Sequence, residues 1–140
     1  MSESSDLKNS AQGESFLGRL FQEHGDWETA NAHWSEALNL YQKAGDSHEV
    51  ARALSNLGLI ADTLAHTEEA FHHLKTAQAL YHQLGDAKGE ATALHFLGLL
   101  HRRHGEVAKA LTCFQDALDL FQKQKDLAGL TALLGNIAGL

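Results

Sequence analysis

Proline is absent from the 140 residues, and cysteine occurs once, as Cys113. A single thiol excludes an intramolecular disulfide framework. Long apolar runs are lacking too: no stretch approaches the roughly 18 uncharged apolar residues of a membrane span. The opening MSESSDLKNS is polar, without the basic and then apolar segments of a secretory signal. These absences predict a cytoplasmic chain with no membrane partner. Surplus positive charge is missing as well, because 11 Lys and Arg stand against 18 Asp and Glu for a net charge of −7. Binders of nucleic acid or anionic membranes rely on a basic surface that displaces counterions, so the balance argues against both as partners. What is present, 44% hydrophobic and 21% charged residues, is the composition of an ordinary globular domain. At this length roughly 68–70% of the extended-chain surface can be buried, so a core needs neither disulfide nor metal.

An internal period of 40 residues organises the chain. Gly18, Gly58 and Gly98 repeat at that spacing, each preceded by leucine, and the pattern continues into Ile137-Ala138. Ala30, Ala70 and Ala110 share the spacing, as do Ala37, Ala77 and Ala117, then Leu40, Leu80 and Leu120, then Tyr41, Tyr81 and Phe121. Large apolar residues recur at Trp34, Leu74 and Phe114, and Asp46, Asp86 and Asp126 mark the repeat boundary. Within each repeat the apolar residues fall at helical spacing, with a break near the middle at His24-Gly25-Asp26, His66-Thr67 and His104-Gly105-Glu106. Two helices per repeat result. First helices are expected at about 11–24, 47–64, 87–104 and 127–138, and second helices at about 27–44, 67–84 and 107–124. Residues 1–10 show no period and read as a flexible leader, ahead of a single domain with repeats at about 11–46, 47–86 and 87–126 and a terminal helix at 127–138. Gly18, Gly58 and Gly98 are expected to let the paired helices approach closely against Ala30, Ala70 and Ala110. Trp34, Leu74 and Phe114 then fill the space between helices.

The order Leu57-Gly58, Ala70, Leu74, Ala77, Leu80-Tyr81 and Gly85-Asp86 resembles a tetratricopeptide repeat in its longer form of about 40 residues. The resemblance covers residues 11–138. It implies an all-α, right-handed α-solenoid of antiparallel helix pairs, three repeats plus one extra helix, and a role as a protein-interaction adaptor or scaffold. This chain departs from the pattern at the first-helix aromatic position, which holds Phe21, Ala61 and His101, and at Ala65, which replaces a mid-repeat glycine.

Chemistry-bearing motifs are sparse. No phosphate-binding Gly-rich loop, nucleophile elbow or paired carboxylates stand out, so no catalytic residue and no cofactor are expected. Among ten histidines, His72 and His73 are adjacent, pointing about 100° apart on a helix, and cannot share an ion. His101 and His104 lack an evident third ligand, so no metal site is expected. His24, His66 and His104 close first helices, where the macrodipole favours positive charge. His101 reads as a half-buried, hydrogen-bonded side chain, and Cys113 as a packing position. The dense basic cluster is His101-Arg102-Arg103-His104.

In the family that the repeats resemble, a concave groove lined by first helices takes peptides or partner helices. Offset from the repeat glycines places Phe16, Asn56, Phe96 and Asn136 on one line of that face, with Arg19, Leu59 and Leu99 on the next. Glu23, Thr63 and Arg103 form the last line, flanked by Ser15, Ser55 and His95. The resemblance gives Asn56 and Asn136 the part of clamping a peptide backbone, while Phe16 and Phe96 suggest apolar pockets. An exposed Phe96, Leu59 and Leu99 cluster would call for a partner. Charge is uneven: residues 11–50 hold seven acids and two bases, residues 91–130 four acids and five bases.

From Leu127 to Leu140 no charged residue occurs. The register predicts Leu130, Leu134, Ile137 and Ala138 packing on the third repeat, with no second helix to cover the other side. A chain cut from a longer array, fold-back on the third repeat and a two-fold homodimer all satisfy that composition, and the dimer is the favoured expectation. Its contact would use Leu111, Leu118, Leu130, Leu134 and Ile137.

Overall fold

The computed structural model describes residues 3–125 and 127–138, so Asp126 lies outside the described residues. These fold as seven helices: α1 (Glu3–Glu23), α2 (Trp27–Ala44), α3 (Ser47–Thr63), α4 (Thr67–Leu84), α5 (Ala87–Arg103), α6 (Val107–Lys123) and α7 (Leu127–Ala138). From α2 onward each boundary falls within one residue of its expected place. The first helix differs, because residues 3–10, assigned to a leader, are helical from Glu3. Contacts to the second helix and the turn after it include Ser4 Oγ, which donates to the Ala44 carbonyl at 3.3 Å, and Lys8 Nζ, 3.9 Å from Asp46. Glu3 and Asp6 in its first turn complement the helix dipole.

Local chemistry explains the boundaries. The side chains of Asp26, Asp46 and Asp86 accept the backbone N–H groups of Thr29, Glu49 and Gly89 at 3.2, 3.3 and 2.9 Å, capping α2, α3 and α5. The turns need a left-handed residue, which glycine supplies at Gly25, Gly45, Gly85 and Gly105 with φ of 77, 74, 70 and 76°. Ala65 and Lys125 take the same turn at φ of 64 and 55°, where a Cβ is strained.

The chain divides into two compact units, Met1–His73 and Leu74–Leu140. In the N-terminal unit α1 packs on α2 and α2 on α3. Its core joins Ala11, Ala30, Trp34, Ala37, Tyr41, Ala53, Leu57 and Ile60, with Phe21, Trp27 and Val50 packed against it. In the C-terminal unit α5 packs on α6, and α7 lies against α6 and touches α5. Ala91, Ala110, Phe114, Ala117, Phe121 and Leu133 form that core.

Close helix approach rests on glycine in both units. A Cβ on Gly18 would stand 2.6 Å from the Trp34 ring, and one on Gly98 2.3 Å from the Phe114 ring, so the large residue of the second helix occupies the space the glycine vacates. Trp34, Leu74 and Phe114 are buried, as the repeat predicts. A second set of such contacts, Gly89 on Tyr81 and Gly129 on Phe121, has no glycine in the first repeat, where Glu49 stands at the same offset.

The terminal helix corrects the expected register. Leu130 and Ile137 pack on the core, but the buried residue between them is Leu133, and Leu134 and Ala138 face outward. Leu133 occupies the column of Ala53 and Ala93, both fully buried, so a leucine has replaced a methyl group at a position already inside.

Candidate functional site

On α1 of the N-terminal unit, Phe16, Arg19, Leu20 and Glu23 fall at i, i+3, i+4 and i+7 and share one outward stripe. Phe16 is 60% exposed and Leu20 37%. An open cleft of about 280 Å³ is lined by these four residues. A second cleft, about 290 Å³, lies between Arg19, Gln22, Glu23, Trp27 and Asn56. Its floor is held in place: Gln22 Oε1 accepts from the buried Trp34 indole N–H at 2.8 Å, which ties the cleft to the core. Behind α1, His33 Nδ1 meets the Glu14 carboxylate at 2.7 Å while its ring stacks on Phe21 at 5.5 Å between centroids. Among the described residues, neither Arg19 nor Glu23 is paired with another charge.

Asn56 sits on α3 at the cleft edge, half-buried, with its Nδ2 donating to the Arg52 carbonyl at 3.0 Å. That bond leaves its side-chain oxygen available to a donor in the cleft. Leu59 is half-buried, and Thr63 is exposed with its hydroxyl donating back to the Leu59 carbonyl at 3.0 Å. Ser55 is buried and donates to the Ala51 carbonyl at 3.2 Å, and the buried Ser15 hydroxyl has no partner among the described residues.

The same columns in the C-terminal unit are turned to another use. Phe96 and Leu99 are half-buried, and Leu99 packs on the core, so no exposed Phe96, Leu59 and Leu99 cluster exists. Arg103 is exposed. Asn136 is engaged within the unit instead of facing out as a clamp. Its Nδ2 lies 2.7 Å from His95 Nε2 and donates to the Ala132 carbonyl at 3.1 Å, while Arg102 donates to its side-chain and backbone oxygens at 3.3 and 3.2 Å. Burial, and then the Arg102 charge, hold the His95 imidazole below its ordinary value of 6.5.

The basic cluster is divided in the same way. Arg102 turns to α7, and His101 Nδ1 lies 3.2 Å from the Glu106 carboxylate with its side chain 12% exposed, the half-buried histidine the sequence predicts. Hydrogen bonds from Lys109 and then His101 hold the Glu106 carboxyl below the usual carboxylate range. Burial first, and then Asp116, push the Cys113 thiol up, which keeps it protonated and a poor nucleophile. No group of three or more His, Cys, Asp or Glu among the described residues is arranged to hold a metal ion. No described helix is long and apolar enough to cross a membrane.

Of the residues expected at a self-association surface, Leu118, Leu130 and Ile137 pack on the core and Leu111 is half-buried. Leu134 is 52% exposed, and Leu127, unanticipated, is 76% exposed. Sequence reasoning also missed Leu20, Gln22 and Trp27 in the clefts. A signal existed for Trp27: its repeat column reads Trp27, Thr67 and Val107, and a tryptophan that the other repeats do not share marks a feature of one repeat.

The model of the tetratricopeptide repeat family matches residues 9–83 and 67–123. No curated protein matches the chain significantly. Among solved structures, aspartyl phosphate phosphatase F from Bacillus subtilis superposes with a TM-score of 0.82 at 21% identity over 88% of this chain and 32% of its own. BtubC from P. vanneervenii gives 0.74 at 21% identity over 91% of this chain and 56% of its own. The TPR domain of Arabidopsis FLU gives 0.77 at 19% identity over 84% of this chain and 98% of its own. The chain thus spans about a third of the first and just over half of the second. With the repeat model covering most of its length, the chain belongs to the tetratricopeptide repeat family and has that family's all-α, solenoid-type fold.

Proposed function

We propose that this chain is a non-enzymatic protein-interaction module whose N-terminal unit takes a peptide or a partner helix on the α1 and α3 face. Tetratricopeptide domains bind protein partners, which is the coarse part of this reading. The finer part rests on one observation: Phe16, Arg19, Glu23 and Asn56 border two adjoining clefts, with Phe16 60% exposed and both charges on Arg19 and Glu23 unpaired among the described residues. An exposed aromatic beside available charges and an amide oxygen offers a ligand one apolar anchor and several directional contacts. Leu59 and Thr63 extend this face along α3. In the C-terminal unit Phe96, Leu99, His95, Arg103 and Asn136 contribute less, because most are half-buried or hydrogen-bonded within the unit.

A peptide library displayed on phage and selected on the intact chain tests this reading. Selected peptides are expected to lose at least tenfold in affinity for a Trp27→Ala, Asn56→Ala variant whose circular dichroism is unchanged. Peptides that bind this folded variant as tightly as the native chain would remove the assignment. A second reading, self-association through α7, is favoured by the exposure of Leu127 and Leu134. Sedimentation at micromolar concentration distinguishes it: a dimer that Leu134→Glu returns to monomer supports self-association, and a native monomer rejects it.

A further inference from the structure

The contact between α5 and α7 is built from groups whose proton arrangement is fully determined. Arg102 is always charged and donates to Asn136 Oδ1, so that end of the amide must be oxygen. The other end is therefore NH₂, and it has two acceptors to satisfy. One is the Ala132 carbonyl at 3.1 Å and the other is His95 Nε2 at 2.7 Å. His95 must accordingly be neutral, with its proton on Nδ1 and a lone pair on Nε2. We propose that the His95–Asn136 hydrogen bond is a pH-sensitive latch: a proton on His95 Nε2 sets two donors face to face and loosens the C-terminal part of α7 from α5, where Arg102 still donates to the Asn136 backbone carbonyl. The amide cannot rescue the contact by flipping, since a flip would turn its NH₂ on the Arg102 guanidinium.

The surroundings make the latch one-sided. Arg102 of α5 is the charge that bears on His95, and it opposes a second positive charge. From α6 the Phe114 ring lies T-shaped to the imidazole at 6.0 Å between centroids, and α7 carries no titratable side chain. His82 of α4 lies 3.1 Å from the carboxylate of Glu90, which stands on α5 five residues before His95. His101 likewise faces Glu106. Because the folded value of His95 lies below 6.5, the latch is fully present above about pH 6.5 and is lost as pH falls through that value, levelling off below the folded value.

Amide hydrogen exchange of the intact chain at pH 7.5 and 5.5, corrected for intrinsic rates, reads the latch directly. Protection at residues 133–137 is expected to fall about tenfold at the lower pH while α2 is unchanged. Asn136→Asp should invert the trend, because a carboxylate accepts from both Arg102 and protonated His95, so α7 becomes better protected at pH 5.5. His95→Phe, which cannot titrate, should abolish the pH dependence whether or not the aspartate variant folds. Equal native protection at both pH values, or a pH dependence that survives in His95→Phe, would overturn the proposal.

Discussion

The two units use one repeat template in different ways at the same column. In the N-terminal unit the column residue Asn56 borders an open cleft with Arg19, Glu23 and Trp27, whereas in the C-terminal unit Asn136 is spent on His95, Arg102 and Ala132. The neighbours decide which. Asn56 bonds to Arg52 one turn back and borders a cleft that no histidine lines among the described residues, while Asn136 meets a histidine where the earlier repeats place Ser15 and Ser55. A repeat column therefore specifies where a side chain stands, and the partner column specifies whether it holds the fold together or stays available.

The sharpest way to break this comparison is through the shared core. Phe114 is fully buried against Gly98, so Phe114→Ala should cost about 3–5 kcal/mol in a urea titration by lost transfer energy plus cavity. A loss below about 1 kcal/mol would show that the C-terminal unit does not rest on the aromatic–glycine contact that the N-terminal unit makes between Trp34 and Gly18.

Glycine positions give the next largest effect. Gly18→Val drives a side chain into the Trp34 ring and should cost about 1–3 kcal/mol. Gly13, five residues earlier on the same helix, has open space at its Cβ, so Gly13→Ala should instead gain up to about 1 kcal/mol from helix propensity. Thermal melting of the two variants tests whether close approach or backbone freedom explains each glycine. The smallest effect belongs to a turn. Ala65 holds φ of 64°, so Ala65→Gly should stabilise by about 1 kcal/mol, and a loss would mean that the left-handed turn is not strained.

Much of this fold is legible in the sequence. Period 40 with a mid-repeat break set six of the seven helices within a residue, because glycine turns and aspartate caps act locally and recur with the repeat. The start of α1 was not legible, since residues 3–10 carry no repeat signature and are held by Ser4 on the Ala44 carbonyl and Lys8 near Asp46, contacts some 40 residues apart in sequence. Leu133 is not evident from the sequence because its column holds Gly13, Ala53 and Ala93, and periodicity alone favours Leu134. At the site, the first-helix face was found by offset from the glycines. The offset could not reveal that Trp27 borders the cleft from α2, nor that His95 and Arg102 occupy the Asn136 amide, because both depend on which side chains meet across helices.

The division between the two asparagines is the centre of this account, and paired urea titrations of Asn56→Ala and Asn136→Ala test it most directly. Asn136→Ala leaves a half-buried His95 without its partner and Arg102 with only the backbone carbonyl of residue 136, and should cost about 1–3 kcal/mol. Asn56→Ala removes only a bond to its own helix and should stay within about 0.5 kcal/mol of the native chain. Equal losses at the two positions, or a larger loss at Asn56, would contradict it.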